Sequence, residues 1–186
     1  MIGFAMCGSY CTHKKSLEQL EALVRQGYEI QPIMSENVFS TDTYFGKSND
    51  LIERVRSLCG RDIIHTVVGA EPLGPKYPLD ALIICPCTGN TLAKISLGIT
   101  DTAVTMAAKA HLRSDRPLIV ALASNDALSS NLKNIGLLLT RKNVYFTPMH
   151  QDDPEKKPHS LVAEFSLLIP TFESAMRGVQ YQKIFV

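Results

Sequence analysis

Three short stretches of this sequence place small, hydroxyl-bearing and amide side chains directly after apolar runs. They are Cys7-Gly8-Ser9-Tyr10-Cys11-Thr12, Pro86-Cys87-Thr88-Gly89-Asn90-Thr91 and Ala123-Ser124-Asn125-Asp126. Helical sequence follows each of them. Small residues at such a junction leave backbone N–H groups open at the start of a helix, where unpaired donors and the helix dipole favour an anion. A phosphate is the natural occupant. Ser, Thr, Asn and Asp are also the preferred helix caps, so any one stretch alone reads as ordinary capping. Three of them at the ends of strands in one parallel sheet point to a shared site, because ligands of such sheets bind beyond the carboxyl ends of the strands. Two common nucleotide-binding devices are absent: the sequence has neither G-x-G-x-x-G nor G-x-x-x-x-G-K-[ST].

Other reactive side chains read more plainly. His65 sits in an apolar run and fits a hydrogen-bonded core histidine better than a catalyst, which also needs partner geometry. Lys109, His111 and Arg113 lie near the end of one helical stretch. Cations there suit the helix dipole, and they equally suit the two carboxylates of a planar diacid, with Arg able to bind bidentately. Cys85 and Cys87 could be thiols beside a redox cofactor, but cysteine is among the most buried residue types and the buried reading is favoured. His13, His150 and His159 are not at metal-ligand spacing with any cysteine pair, so no metal site is expected. Lys14-Lys15 and Glu155-Lys156-Lys157 read as solvated charge runs.

The elements that must position these residues alternate between β-rich runs and helical periodicity, the pattern of a parallel sheet covered by helices. Expected strands are Ile2 to Cys7, Glu29 to Met34, Ile63 to Val68, Ala81 to Cys85 (broken at Pro86), Leu118 to Ala123 and Val144 to Phe146. Expected helices carry Leu17, Leu20 and Val24 up to Gly27, then Leu51 to Cys59 behind a Ser48 cap and up to Gly60. Further ones run over Thr91 to Leu97, Ala103 to Leu112, Leu132 to Leu139, and through the tail to about Arg177. Ser35 to Lys47 reads as a long polar loop, and Gln151 to Pro158 as a charged one. The fold expected is α/β, flavodoxin-like or Rossmann-like, in three layers with a central parallel sheet, as a single domain over residues 1–186.

Composition narrows the function classes. The 186 residues are 45% hydrophobic and 20% charged, with Lys+Arg 19 against Asp+Glu 18, a net charge of +1. That balance argues against nucleic acid as the main partner. The longest apolar run, Leu118 to Ala123, is far short of the ~20 residues that span a bilayer, and no signal peptide is expected, because a strand-like apolar run starts at Ile2. Five cysteines, an odd count, read as reduced thiols of a cytoplasmic protein.

The run Pro86-Cys87-Thr88-Gly89-Asn90-Thr91-Leu92-Ala93-Lys94-Ile95, continuing to Gly98-Ile99-Thr100-Asp101, resembles the proline–alanine–serine–alanine–asparagine–threonine motif of the flavin-containing cysteine decarboxylase family. Gly8-Ser9 is similar to that family's phosphate loop, and Ser35 falls at its flavin-contacting Ser or Thr. Glu71-Pro72-Leu73-Gly74-Pro75, Ser124 to Leu128, Tyr145-Phe146-Thr147-Pro148 and Gln151-Asp152-Asp153-Pro154 look like the dipicolinate synthase B-subunit branch. The resemblance implies a flavin mononucleotide (FMN) pocket at a contact between copies of the chain, hence a homo-oligomer. Its lining would be Gly8, Ser9, Ser35, Pro86, Thr88, Asn90, Thr91 and Ser124, with Asn90 and Asn125 placing the reacting ring. It further implies oxidation of a small dicarboxylate, dihydrodipicolinate, during sporulation, with NAD(P) on the separate A-type polypeptide of dipicolinate synthase. Two rivals accompany it: a stand-alone FMN-dependent decarboxylase or prenyltransferase, and a non-catalytic assembly subunit with a vestigial pocket. The first rival lacks support where the family's motifs depart: His65 lies in Ile64-His65-Thr66-Val67, the substrate motif stands as Leu122-Ala123-Ser124-Asn125, and no cysteine-containing flap follows Phe146.

Overall fold

The computed structural model describes residues 1–74 and 76–186; Pro75, the last residue of the Glu71–Pro75 run, lies outside them. The strands are β1 (Ile2–Met6), β2 (Ile30–Met34), β3 (Ala81–Cys87), β4 (Leu118–Ser124), β5 (Val144–Phe146), β6 (Met149–His150) and β7 (Leu161–Ala163). The helices are α1 (His13–Arg25), α2 (Glu36–Ser40), α3 (Ser48–Cys59), α4 (Val67–Ala70), α5 (Gly89–Leu97), α6 (Ala103–Leu112), α7 (Leu132–Leu139) and α8 (Leu168–Ala175).

The sheet runs in the order β2-β1-β3-β4, parallel throughout. The outer edge of β4 is shared. Its first half pairs in parallel with β5, and its last two residues pair antiparallel with β7, which β6 extends. Alternation along the strands divides the core. Leu82 and Ile84 of β3, with Leu118, Val120 and Leu122 of β4, face the layer of α4 to α7. Ala81, Ile83 and Cys85, with Ile119 and Ala121, face α1, α3 and α8. A strand buried on both faces must be apolar at every position, which is why β1, β3 and β4 read as unbroken apolar runs.

The α/β three-layer expectation holds, and particular elements differ from it. β3 does not stop at Pro86. It continues to Cys87 with a shift of register against β4 after Ile84, and the Pro86 carbonyl accepts the Cys7 N–H at 3.2 Å. The missing proline N–H is tolerated at such an irregularity. Ile63 to Val68 forms no full strand: Ile64 makes one parallel bridge to Ile33, and Thr66 then caps α4 by accepting the Gly69 N–H at 3.0 Å. The polar stretch after Ser35 contains α2, and α3 begins at Ser48 itself, whose N–H and hydroxyl both donate to Asp42. In the tail, β6 and β7 flank the charged loop before the helix expected there.

Ile84 is fully buried at the centre of the sheet. Ile84→Ala is expected to cost about 2–5 kcal/mol of folding free energy by leaving a cavity. Chemical denaturation measures it, and a loss below about 1 kcal/mol would mean that the helices over β3 can close on the gap.

Candidate functional site

The connection from β1 leads to one side of it, to β2, while β3 lies on its other side, so the chain reverses direction across the sheet between β1 and β3. In flavodoxin-like sheets this switch point is where a ligand crevice opens, at the carboxyl ends of the strands. The loops after β1, β3 and β4 meet there.

After β1, Ser9 adopts a left-handed conformation (φ 61°, ψ 48°) and leads into a 3₁₀ turn over Tyr10–Thr12. Its hydroxyl donates to the Ala123 carbonyl at 2.8 Å, tying this loop to the end of β4. The Thr12 N–H and hydroxyl both donate to the Ser9 carbonyl, at 2.9 and 2.8 Å. Among the described residues, the backbone N–H groups of Gly8 and Ser9 have no acceptor. Adjacent open N–H groups beside a left-handed residue form an anion-binding concavity. A side chain at 8 would press on Thr88, whose Cγ2 lies 3.3 Å from the place of an added Cβ.

After β3, Thr88 caps α5. Its Oγ accepts the Thr91 N–H at 3.2 Å and donates to Thr91 Oγ at 3.0 Å; the Thr91 hydroxyl in turn donates to Cys7 Sγ at 3.3 Å. Asn90, the exposed residue in the otherwise buried first turn of α5, and Asn125, on the loop after β4, both present amides to solvent. Pro86 and Thr91 are buried in the scaffold. The Ser124 hydroxyl donates to Asp126. Ser35 accepts the Val38 N–H at 3.4 Å to cap α2, and its own N–H donates to the Met6 carbonyl at 2.9 Å. Gly8, Ser9, Thr88, Ser124 and Ser35 therefore stand at one sheet edge, with Asn90 and Asn125 on its solvent side.

Electrostatics separate inert groups from responsive ones. Burial pushes the Cys7 thiol up to about 11 and Cys85 to about 12, and holds Cys87 well above its ordinary range. These thiols stay protonated at neutral pH, in keeping with the buried reading. Asp126 is held below the usual carboxylate range, first by the Ser124 hydroxyl and then by Asn131 and Ser130.

Several residues take other places. His65 is half-buried, not in the core, and its ring stacks on Phe39 with centroids 3.6 Å apart. Lys109, His111 and Arg113 end α6 at the opposite edge of the sheet, where His111 Nε2 bonds the Pro117 carbonyl ahead of β4 at 2.9 Å. That placement leaves them the helix-end role and removes them as diacid partners at these loops. Three neighbours of these loops make contacts that local spacing in the sequence does not show. Glu36 accepts the Ala103 N–H at 2.9 Å and fixes α2 against the start of α6. His13 Nε2 bonds the Cys7 carbonyl at 2.8 Å beneath the β1 loop. Asp126 looked like one more cap. Glu36 and His13 left no signal in spacing, because each acts across the fold. An open cleft of about 660 Å³ adjoins the β1 loop at Tyr10 and Cys11, between α1 and the 41–51 segment, with Leu17, Phe45 and Leu51 on its walls.

Two expected outcomes follow from this geometry. Gly89→Ala is expected to cost about 1–3 kcal/mol by overpacking, since its Cβ would lie 2.3 Å from Ser124 Oγ; thermal unfolding measures it, and an unchanged midpoint would contradict the close packing. The second concerns pH. Burial lowers the pKa of His13 and His111 from 6.5, and His111 Nδ1 has no partner to receive a proton's charge. The unfolded chain therefore takes up protons at a higher pH than the folded one, so these groups favour folding above about pH 6.5 and lose that contribution as pH falls. The urea midpoint should be lower at pH ~5.5 than at pH ~7.5; equal midpoints would refute the buried neutral state.

Comparison with known proteins bears on this site. The Flavoprotein family model matches residues 1–160. The chain is 44% identical over 185 residues to the dipicolinate synthase B subunit of Bacillus subtilis (strain 168), covering 100% of this chain and 92% of that protein. The crystal structure of the dipicolinate synthase B subunit from Bacillus halodurans superposes with a TM-score of 0.91 at 43% identity, covering 100% of this chain and 95% of the other. The structure of AnUbiX (PadA1) in complex with FMN and dimethylallyl pyrophosphate gives a TM-score of 0.62 at 25% identity, over 79% and 76% of the two chains.

Proposed function

This chain belongs to the Flavoprotein family, and from that premise we propose that it is the B-type subunit of a dipicolinate synthase, holding FMN at the β1/β3 switch point. The observation that carries the reading is the pair of open N–H groups at Gly8 and Ser9, beside the left-handed turn that begins the β1 loop. They suit a phosphate monoester. Ser35 closes the cradle from the β2 side.

The reaction would pass one hydride from dihydrodipicolinate to the oxidised nicotinamide and release one proton to solvent, driven by formation of the aromatic pyridine ring. FMN, when bound, would supply two-electron redox chemistry at this crevice. The nicotinamide, NAD(P), sits on the A-type partner polypeptide, consistent with the absence of a dinucleotide fingerprint here. The residues of the present polypeptide would hold and orient: the backbone N–H groups of Gly8 and Ser9 would meet the phosphate, and the side-chain amides of Asn90 and Asn125 the ring and substrate. The buried neutral thiols of Cys7, Cys85 and Cys87 keep the floor apolar. Exposed Leu97, Ile99, Leu132 and Leu137 on and beside the adjoining α5 and α7 support assembly into a homo-oligomer. The five cysteines are all free thiols, which supports a cytoplasmic setting. Among the described residues no helix is long and apolar enough to cross a membrane.

One observation favours a second reading, a non-catalytic assembly subunit. The hydroxyls of Ser9, Thr88 and Ser124 all donate within the protein rather than into the crevice. Mixing the chain with its nicotinamide-binding partner separates the two. On the catalytic reading, Asn90→Ala lowers dipicolinate formation by about tenfold or more, the loss of an interaction worth ~1.4 kcal/mol in the transition state. Full activity of that variant in a stable complex would favour the assembly role.

A further inference from the structure

The turn that carries Asn90 is held from outside α5. An added Cβ at Gly89 would lie 2.3 Å from Ser124 Oγ, 2.6 Å from Asn131 Nδ2 and 2.7 Å from Asp126 Oδ1. These three neighbours belong to one cluster centred on a carboxylate. Asp126 accepts from Ser124 Oγ, from Ser130 Oγ at 3.2 Å, and from Asn131 Nδ2 at 2.9 and 2.8 Å on its two oxygens. Asn131 Oδ1 accepts from Asn134 Nδ2 at 2.8 Å, and Asn134 Oδ1 accepts from Ser96 Oγ at 2.8 Å. Ser96 belongs to the last turn of α5 and Asn134 to α7. The cluster thus leaves the end of β4, passes through α7, and meets α5 at both its first residue and its last turn.

We propose that Asp126 is a positioning residue of this site, gathering the donors that fix where Gly89 and Asn90 stand and so where the Asn90 amide meets a bound flavin ring. This rests on the flavin reading above. Asp126 acts through its neighbours, because its oxygens are taken up by Ser124, Ser130 and Asn131. Its chemistry is specific. An ionised carboxylate accepts on both oxygens, whereas an asparagine there would turn an amide N–H toward donors that need an acceptor. Exchanging the two partners, Asp126→Asn together with Asn131→Asp, restores one donor amide facing one acceptor carboxylate.

The test compares the natural chain, Asp126→Asn and the double exchange by FMN titration, the band shape of bound flavin, and amide hydrogen exchange of the flavin-free proteins. Asp126→Asn is expected to weaken FMN binding by about tenfold or more, as loss of charge-assisted hydrogen bonds does. It should also alter the flavin band shape and speed exchange over residues 88–97 while leaving β1 unchanged. The double exchange should recover most of the affinity and the natural band shape. Unchanged affinity and band shape in Asp126→Asn would overturn the proposal, and so would unchanged exchange over 88–97. If no form binds FMN, the flavin reading falls, and exchange alone decides whether Asp126 places the turn. Should Asp126→Asn fail to fold, Ser130→Ala removes one exposed donor, and the same effects are expected at two- to threefold, roughly the weight of one hydrogen bond.

Discussion

The lack of a side chain at position 89 sets how closely the ends of β3 and β4 approach, and the shape of the crevice follows from that distance. Any β-carbon there would collide with the polar cluster of Ser124, Asp126 and Asn131. Because the glycine admits contact, the first turn of α5 rests on the β4 loop. The Ser9 hydroxyl then ties the β1 loop to Ala123 from the other side. Three loops from three strands are joined in this way by local hydrogen bonds and one steric allowance. The scaffold beneath is rigid, since β1, β3 and β4 are buried on both faces, and close-packed interiors transmit such placement without slack.

That arrangement divides the polar residues of the site into two sets. Hydroxyls engaged inward (Ser9, Thr88, Thr91 and Ser124) shape the walls, while the outward amides of Asn90 and Asn125 and the open N–H groups of Gly8 and Ser9 are free to meet a ligand. The division explains why the residues are small. Short side chains reach backbone and neighbouring hydroxyls without filling the crevice. The thiols of Cys7, Cys85 and Cys87, protonated through burial, add no charge beneath it.

Much of this was legible in the sequence, for identifiable reasons. Doubly buried strands announce themselves as apolar runs, and all three strand-end loops lie where those runs stop. The loop ahead of α5 is legible as a site candidate from Thr88-Gly89-Asn90-Thr91, although the helix begins at Gly89, two residues before the expected Thr91. What could not be read was cooperation across distance. Asp126 looked like a cap because its donors come from Ser130 and Asn131 as well as Ser124, and nothing in local spacing says that Gly89 faces it. Glu36 meets Ala103 across 67 positions. Pro86 suggested a break, yet β3 passes through it because β4 absorbs the irregularity by shifting register. Lys109, His111 and Arg113 showed their chemistry but not their edge of the sheet, which the direction of α6 decides.

The proposed function depends on the β1/β3 switch point holding FMN by its phosphate. The most direct measurement is a paired titration of the flavin-free chain with FMN and with riboflavin, which lacks the phosphate, followed by gel filtration. A phosphate-held flavin predicts that FMN travels with the protein and that riboflavin binds far more weakly. FMN that elutes free, or riboflavin that binds as well as FMN, would contradict it.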